Sequence, residues 1–341
     1  MTVLVTGGAG YVGSHTVRQL VGRGGRVVVL DNLSKGHAAA VDADAVLVVG
    51  DVGDDERLRR LLRDEEITAV IHLAADKSVD ESLRDPGKYF RNNVASTLTL
   101  LDASVDAGIE SFVFSSTCAV YGIPAELPVS EATPTSPETP YGESKLIVER
   151  ILDWYGRAHG LRSISLRYFN AAGAAVEGDI GEDWTDATTL IPRVMKAALG
   201  RSEPIMVFGT DYPTPDGTAI RDYIHVLDLA DAHLRSLDHL AAGQPSAVLN
   251  VGTGAGASVR QIIAATERVS GRAVPFVDAP RRPGDAAEVW AQSEAANRIL
   301  DWSPRFDLDE VIETAWRWHS THPDGFTAAT RDEGRSRADA S

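Results

Sequence analysis

The chain has 341 residues, 43% of them apolar and 24% charged, which predicts a soluble globular protein of about two domains. Its formal net charge of −16 excludes the basic surface that non-specific nucleic-acid binding needs. The single cysteine, Cys118, excludes an intrachain disulfide and a cysteine metal cluster, and the nine histidines form no HxxxH or HExxH pair.

The N-terminal sequence MTVLVTGG leads directly into a predicted strand. It lacks the basic start and the long apolar core of a signal peptide. No run of about 18 apolar residues is present to span a bilayer. We therefore expect a cytoplasmic protein with no membrane partner, no nucleic-acid partner and no metal.

Short apolar segments alternate with amphipathic segments in the first half of the chain. The apolar ones are rich in valine and isoleucine without strict alternation, as in parallel strands that are covered on both faces. This alternation predicts an α/β fold with a doubly wound parallel sheet. The predicted strands are 2–7, 26–31, 45–50, 68–74, 111–116 and 162–169, and the predicted helices lie near 12–23, 54–65, 88–108 and 141–159.

A glycine-rich turn, TGGAGYVG at residues 6–13, joins the first strand to the first helix. Gly7, Gly10 and Gly13 would let the backbone approach a pyrophosphate at the helix N-terminus. Asp31 ends the second strand, where a carboxylate can accept hydrogen bonds from ribose hydroxyls and would repel the 2′-phosphate of NADP. Together these features predict a Rossmann-type NAD site. GDV at 50–52 either borders the adenine or forms an ordinary strand-end turn.

Two polar motifs follow at the fifth strand and the next helix. SSTCAVYG, residues 115–122, offers hydroxyls at the carboxyl edge of the sheet, and we favour Thr117 over a simple strand-end cap. Tyr141 and Lys145 in PYGESK share one helix face, where they are either a solvated pair or a proton acceptor and its ammonium partner. A nearby ammonium and the positive nicotinamide of NAD would favour phenolate, which can take a proton from a substrate hydroxyl.

The pattern becomes irregular after about residue 170. Glycine, proline and aspartate are dense, and helices are predicted near 189–200, 226–242, 258–271 and 308–320, while VLNVG at 248–252 could return to the first sheet. We predict a smaller, mixed α/β substrate-binding domain. The expected division is an NAD-binding domain at 1–170 with a return segment near 220–252, a discontinuous second domain at 171–326, and a disordered tail at 327–341.

The GxxGxxG spacing together with YxxxK resembles the extended short-chain dehydrogenase/reductase superfamily. Longer stretches resemble its UDP-glucose 4-epimerase family from residue 2 to about 326: TGGAGYVGSHTV, DNLSKGH, HLAADKSVDESLRDPGKYFRNNV, RYFNAAGA, FGTDYPTPDGTAIRDYIHVLDLADAH and APRRPGD. The resemblance implies NAD as cofactor, a UDP-hexose as substrate, and reversible epimerisation at C4 through a transient 4-keto sugar. It also implies a homodimer formed through the helices near 88–108 and 141–159.

The resemblance implies a role for each matching residue. Tyr141 would be the base, Lys145 its electrostatic partner, and Thr117 the hydroxyl that hydrogen-bonds the reacting oxygen. The implied NAD contacts are Gly7, Gly10, Tyr11, Val12, Gly13, Asp31, Asn32, Asp51, Val52, Leu73, Ala74, Ala75, Lys77, Asn92, Ser115, Tyr141, Lys145 and Tyr168. The implied UDP-sugar contacts are Lys77, Thr117, Tyr141, Phe169, Asn170, Thr189, Leu190, Val207, Phe208, Arg221, Tyr223, Val289, Arg282 and Asp285.

Three positions depart from the family pattern or vary within it. Thr189 stands where many relatives have asparagine or histidine, and Asp76 stands where an apolar residue is common. Val289 is small where some relatives have tyrosine, so a UDP-N-acetylhexosamine is an alternative substrate, as is a UDP-pentose or a UDP-uronate. A 4,6-dehydratase would need an acid and a base where Cys118 and Ala119 stand. An NAD-sensing scaffold protein would not need Thr117, Tyr141 and Lys145 together.

Overall fold

The computed structural model describes residues 1–185, 188–282 and 284–326, and the predicted tail at 327–341 lies outside the described residues. Its strands are, in chain order, β1 (Thr2–Thr6), β2 (Arg26–Asp31), β3 (Val46–Val49), β4 (Ala69–His72), β5 (Ser111–Ser115), β6 (Arg162–Tyr168), β7 (Asn170–Ala172), β8 (Ile205–Phe208), β9 (Ile220–Arg221), β10 (Tyr223–His225), β11 (Ala247–Val251), β12 (Ala257–Ser258), β13 (Phe276–Ala279) and β14 (Glu288–Val289). Its helices are α1 (Tyr11–Gly22), α2 (Asp55–Asp64), α3 (Val79–Arg84), α4 (Pro86–Tyr89), α5 (Ser96–Asp106), α6 (Pro140–His159), α7 (Leu190–Ala198), α8 (Val226–Ala241), α9 (Val259–Ser270), α10 (Glu294–Leu300) and α11 (Leu308–Thr321).

Seven parallel strands form the central sheet in the order β11-β6-β5-β4-β1-β2-β3. The order reverses at β1, as expected of a doubly wound sheet, and the predicted fold class is confirmed. β11 lies beside β6 at the edge, and α8 packs against β5 and β6, so the chain returns to this sheet late in its course.

Both faces of the sheet are buried because successive side chains of a strand point to opposite sides. Val3 and Val5 of β1 pack into one cluster with α1, α8 and α10, while Leu4 packs into a second cluster with α2, α5 and α6. Burying one such aliphatic side chain contributes about 1.5–3 kcal/mol. Unbroken valine and leucine runs are therefore what a sheet covered on both faces requires.

The later part of the chain builds a second core away from the central sheet. Helices α7, α9 and α11 pack together with β8 through residues such as Val194, Ile262 and Ile312. The smaller sheets pair β7 with β10, β8 with β13, and β9 with β12 and β14. The chain thus leaves the central sheet after β6 and contributes to both cores from then on.

The helix predicted at 88–108 differs in detail from the observed one. A π-helical segment, Phe90–Ala95, joins α4 to α5. Such wide turns often occur at functional sites. Here the Asn93 side-chain amide donates to the Asp76 carbonyl at 3.0 Å and to the Ser144 hydroxyl at 3.1 Å, while Asn92 faces the main cavity. The Asn93 side chain in this π-helical turn thus makes hydrogen bonds to distant residues, which the local periodicity of the sequence does not encode.

Candidate active site

A large cavity opens at the carboxyl ends of the central strands, between the two cores. Its volume is about 2300 Å³, well above the roughly 300–1,000 Å³ of ordinary small-molecule pockets. The cavity therefore has room for two ligands side by side. This edge is where open parallel sheets bind ligands, because loops and helix N-termini converge there.

The glycine turn forms one wall of the cavity. Gly7 has φ +71°, and a Cβ at this position would lie 2.6 Å from the backbone nitrogen of Ala74. A Cβ at Gly13 would lie 2.1 Å from the Gly7 carbonyl oxygen. Helix α1 begins at Tyr11 with no side-chain cap on its first turn, so its free N–H groups can bind an anion.

Asp31 lies at the end of β2 beside that turn. Its carboxylate accepts hydrogen bonds from the backbone N–H groups of Ala9 at 3.0 Å and Leu33 at 2.8 Å. Burial raises the pKa of Asp31, and these two hydrogen bonds act in the opposite direction. A carboxylate has about four acceptor positions, so Asp31 keeps capacity for two ribose hydroxyls.

Tyr141 lies in the first turn of α6 and faces Thr117 at the end of β5. Burial raises the pKa of Tyr141 well above its usual value, Tyr168 raises it further, and the hydrogen bond with the Thr117 hydroxyl lowers it. The sequence-based prediction of a phenolate relies on both the Lys145 ammonium and the positive nicotinamide of NAD, and it stays a prediction. Desolvation of the charged form outweighs the stabilising contacts.

Lys145 lies one turn further along α6 and is buried. Its Nζ donates to the Ser115 carbonyl at 2.9 Å and lies 4.8 Å from the Phe114 ring centroid. Burial lowers the pKa of Lys145 to about 7, while the Glu149 carboxylate raises it. The ammonium is thus anchored to β5, and its charge depends on the groups around it.

The opposite wall carries two arginines. The Arg221 guanidinium donates to the Asp285 carboxylate at 2.8 Å, and the Arg282 guanidinium lies 4.0 Å from the Phe208 ring centroid. Asn170 donates its side-chain amide to the Asp222 carbonyl at 3.0 Å. Guanidinium groups suit bidentate contact with phosphate oxygens, so this wall can hold an anionic group opposite the glycine turn.

Most of the residues predicted from sequence line this one cavity. They are Gly7, Gly10, Tyr11, Val12, Gly13, Asp31, Asn32, Asp51, Val52, Leu73, Ala74, Ala75, Lys77, Asn92, Thr117, Tyr141, Lys145, Tyr168, Phe169, Asn170, Thr189, Leu190, Phe208, Arg221, Tyr223, Arg282 and Asp285. These residues come from the glycine turn, from the ends of the central strands and from the second core.

Three predicted site residues do not line the cavity. Ser115 is buried and its hydroxyl pairs with His233 Nε2 at 2.8 Å, although its carbonyl holds Lys145. Val207 points from β8 into the second core, because its neighbours in the strand, Met206 and Phe208, take the cavity side. Val289 packs beside Phe169 in a small apolar cluster.

The sequence analysis missed several acidic residues of the cavity, among them Glu182 and Asp183. Glu182 is buried, with Lys77 Nζ 3.7 Å and the Thr189 hydroxyl 3.4 Å from its carboxylate. Asp183 pairs with His37 Nε2 at 2.8 Å. Both stand in a segment without periodicity, where the only available signal was an acidic pair after a glycine.

Asp76, which the sequence left without an explanation, has a partner in the structure. Its carboxylate lies 3.4 Å from Lys88 Nζ, which also pairs with Glu81 at 2.8 Å. Within residues 1–185, 188–282 and 284–326, no group of three or more His, Cys, Asp or Glu side chains could hold a metal ion. None of the described helices is long and apolar enough to cross a membrane.

The model of the NAD dependent epimerase/dehydratase family matches residues 3–252. The chain belongs to this family. It is 48% identical over 327 residues to the UDP-glucose 4-epimerase of Lacticaseibacillus casei, covering 96% of this chain and 99% of that protein. It is 50% identical over 323 residues to the UDP-glucose 4-epimerase of Rhizobium meliloti, covering 95% and 98%.

Solved structures of family members have the same fold. The UDP-glucose 4-epimerase from Brucella ovis in complex with NAD has a TM-score of 0.91 and 46% identity, covering 92% of this chain and 97% of that one. The one from Bifidobacterium longum in complex with NAD⁺ and UDP has a TM-score of 0.89 and 38% identity, covering 96% and 100%. NAD is the cofactor of this family, and the side-chain-free turn at Gly7 and Gly13 fits its pyrophosphate.

Proposed function

We propose that the protein is a UDP-glucose 4-epimerase that interconverts UDP-glucose and UDP-galactose with NAD. The observation that carries the proposal is the pairing of Tyr141 with Thr117 inside one cavity, between the glycine turn and the two arginines. A hydride acceptor, a proton acceptor and an anchor for a nucleotide diphosphate are thereby available to one sugar carbon. Full-length similarity to proteins named UDP-glucose 4-epimerase supports the same reading.

The reaction follows from what each group does at the sugar. Tyr141 takes the proton from O4 while C4 loses hydride, and Thr117 hydrogen-bonds the same oxygen. Bound NAD supplies the hydride acceptor and, because its oxidised ring is positive, offsets the burial that raises the pKa of Tyr141. The 4-keto sugar turns over in the cavity, hydride returns to its other face, and Tyr141 returns the proton.

Binding energy is divided between the two walls. In the proposal, Gly7, Gly10 and Gly13 hold the NAD pyrophosphate and Asp31 holds its adenosine ribose, while Lys145 anchors the nicotinamide side. Residues 1–170, with the return near 220–252, form the NAD-binding domain, and the rest of 171–326 binds the UDP-sugar.

The UDP portion is assigned to the opposite wall. Arg221 and Arg282 bind the diphosphate, and Asp285 accepts the uridine ribose hydroxyls. Holding UDP firmly leaves the sugar itself loosely bound, as rotation of the 4-keto intermediate requires. The remote nucleotide thus supplies binding energy that the reacting ring does not need to supply.

A 4,6-dehydratase is disfavoured by the residues after Thr117. Burial raises the pKa of the Cys118 thiol to about 12, and Ala119 has no proton to transfer. Elimination of water across C5 and C6 would need an acid and a base near these positions. The cavity therefore supports chemistry at C4 alone.

The proposal is tested by incubating the purified protein separately with UDP-galactose, UDP-N-acetylgalactosamine and UDP-arabinose and identifying the products by NMR. We expect UDP-galactose to be converted to UDP-glucose to an equilibrium mixture. No conversion by protein that carries NAD would contradict the proposal. Equal turnover of the acetylated sugar would support a wider specificity, although Val289, from which it was predicted, does not line the cavity. Turnover of UDP-arabinose alone would redirect the proposal to a pentose.

We also propose a homodimer formed through the helical faces near 88–108 and 141–159. The support is apolar exposure on this side: Trp154 on α6 is 65% exposed and Phe90 is 37% exposed. We likewise propose that the reaction belongs to galactose metabolism and that the protein is located in the cytoplasm.

A further inference from the structure

A buried ion pair joins α6, which carries Tyr141 and Lys145, to β6. Glu149 stands one turn after Lys145 on α6, and Arg167 stands beside Tyr168 at the end of β6. The guanidinium donates to the carboxylate through Nε at 2.9 Å and Nη2 at 2.5 Å. Both side chains are less than a tenth exposed, at 5% and 8%.

Both side chains of this ion pair make further hydrogen bonds. The Ser116 hydroxyl donates to the Glu149 carboxylate. Arg167 Nη1 donates to the Tyr121 hydroxyl at 2.9 Å, which in turn donates to Asn250 at 2.7 Å. A buried pair is weak evidence for stability, because desolvation offsets much of its attraction. The alternative role for the pair is to fix the positions of α6 and β6 relative to each other.

Ser116 connects the pair to the site. It stands between Ser115, whose carbonyl accepts from Lys145, and Thr117, whose hydroxyl bonds Tyr141. Glu149 therefore ties α6 to the end of β5 at the residue between those two contacts. A shift of α6 along β5 would move Tyr141 and Lys145 together.

Among the groups around Lys145, the Glu149 carboxylate is the one whose charge raises the pKa of Lys145. From β4, His72 is neutral, because burial and Lys145 lower its pKa to about 3. Tyr141 on α6 and Tyr168 on β6 are neutral because burial raises their pKa values. β5 presents the Phe114 ring and the Ser115 carbonyl. The Arg167 guanidinium is held by the same Glu149 carboxylate.

We propose that Glu149 is a positioning residue for the reaction: it holds α6 against β5 and keeps Lys145 protonated in the working enzyme. The inference rests on the proposed function. It extends that function to a residue that touches neither the sugar nor the cofactor, and it predicts separate consequences for geometry and for charge.

The test compares Glu149→Gln with wild-type holoenzyme. Loss of the charge is expected to reduce kcat by about ten-fold or more with little change in KM. It also lowers the pKa of Lys145, so the alkaline fall of kcat moves to lower pH by about one unit. Ser116→Ala keeps both charges and should reduce kcat a few-fold without moving the pH profile.

Two controls separate the role in catalysis from a role in folding. Asp228→Asn weakens another contact of a buried carboxylate, the one to Arg305, and should leave the pH profile in place because Asp228 is not among the charges that act on Lys145. Glu149→Gln removes the counter-charge of Arg167. The double variant Glu149→Gln/Arg167→Gln removes both charges, and in it the alkaline fall of kcat should still move to lower pH.

Failure of the inference is distinguishable from failure of the proposed function. An inactive wild-type holoenzyme would overturn the function, and NMR titration of ¹³Cε-labelled lysine would still report whether Glu149→Gln lowers the pKa of Lys145. An unshifted Lys145 titration, or an active wild type matched by Glu149→Gln in kcat and pH profile, would overturn the inference.

Discussion

At the residue scale, the buried environment of Tyr141 disfavours its phenolate form. Burial raises the pKa of its phenol, and Thr117 provides the contact that favours phenolate. The pKa of Lys145, lowered to about 7 by the same burial, leaves its charge sensitive to neighbours. A positive group that entered the cavity would favour the phenolate of Tyr141, so we expect proton transfer to depend on cofactor binding.

Replacing Tyr141 by phenylalanine tests this role. We expect kcat to fall by about 10²–10⁴-fold, the usual contribution of a positioned acid or base. The melting temperature should change little, because the hydroxyl faces the cavity and Thr117. Steady-state kinetics together with thermal unfolding would check both, and full activity of the variant would contradict the proposed base.

Gly13 and Gly22, which both lie in α1, offer a matched pair of substitutions. Gly13→Ala would place its Cβ 2.1 Å from the Gly7 carbonyl oxygen, whereas a Cβ at Gly22 in the last turn of α1 meets no atom within 4 Å. We expect Gly13→Ala to weaken NAD binding at least ten-fold and Gly22→Ala to leave it unchanged. Calorimetric titration with NAD measures both, and equal affinities would contradict the assigned pyrophosphate site.

At the element scale, the loop after β2 meets the segment before α7. His37 pairs with Asp183 at 2.8 Å and stacks on Phe326, with ring centroids 4.6 Å apart. Although burial acts against it, hydrogen bonds from His37 and Thr185 hold the pKa of Asp183 well below its usual value. Segments far apart in the chain therefore meet at one side of the cavity.

Asp183→Asn should loosen this contact. A depressed carboxyl pKa contributes stability that is present above the unfolded pKa of about 3.9 and is lost as pH falls through the folded value. The stability difference between wild type and variant should thus be full at pH 7 and shrink below about pH 4. Urea unfolding at both pH values checks the sign, and a difference that grew in acid would contradict it.

At the scale of the whole molecule, the side of the protein that carries α6 exposes large apolar side chains. Trp154 on α6 is 65% exposed, and Phe90, in the π-helical segment before α5, is 37% exposed. Exposed aromatic residues of this size commonly occupy subunit interfaces. The proposed dimer would bury these two side chains.

Trp154→Glu is expected to shift the protein towards monomer, because it would place a charge inside the apolar interface. Val176→Glu is the control, since Val176 is also exposed, at 43%, but lies outside α6. Light scattering after size-exclusion chromatography would report the masses. A wild-type monomer, or a dimer that tolerates both charges, would contradict this interface.

Much of the fold could be predicted because its signals are local. β2 was predicted at its observed bounds, and α1 and α6 within one residue at each end, since a buried strand or an amphipathic helix is determined by short-range periodicity. The π-helical turn at Phe90–Ala95 could not be predicted, because its hydrogen bonds reach Asp76 and Ser144 elsewhere in the chain.

By itself, the sequence determined the strands of the sheet, the glycine turn and the spacing of Tyr141 and Lys145, because each depends on neighbours along the chain. Only the tertiary structure decided where the Lys145 ammonium points, that Glu149 pairs with Arg167, and that Val207 turns away from the cavity. These outcomes depend on packing between distant segments and on desolvation, which no local pattern specifies.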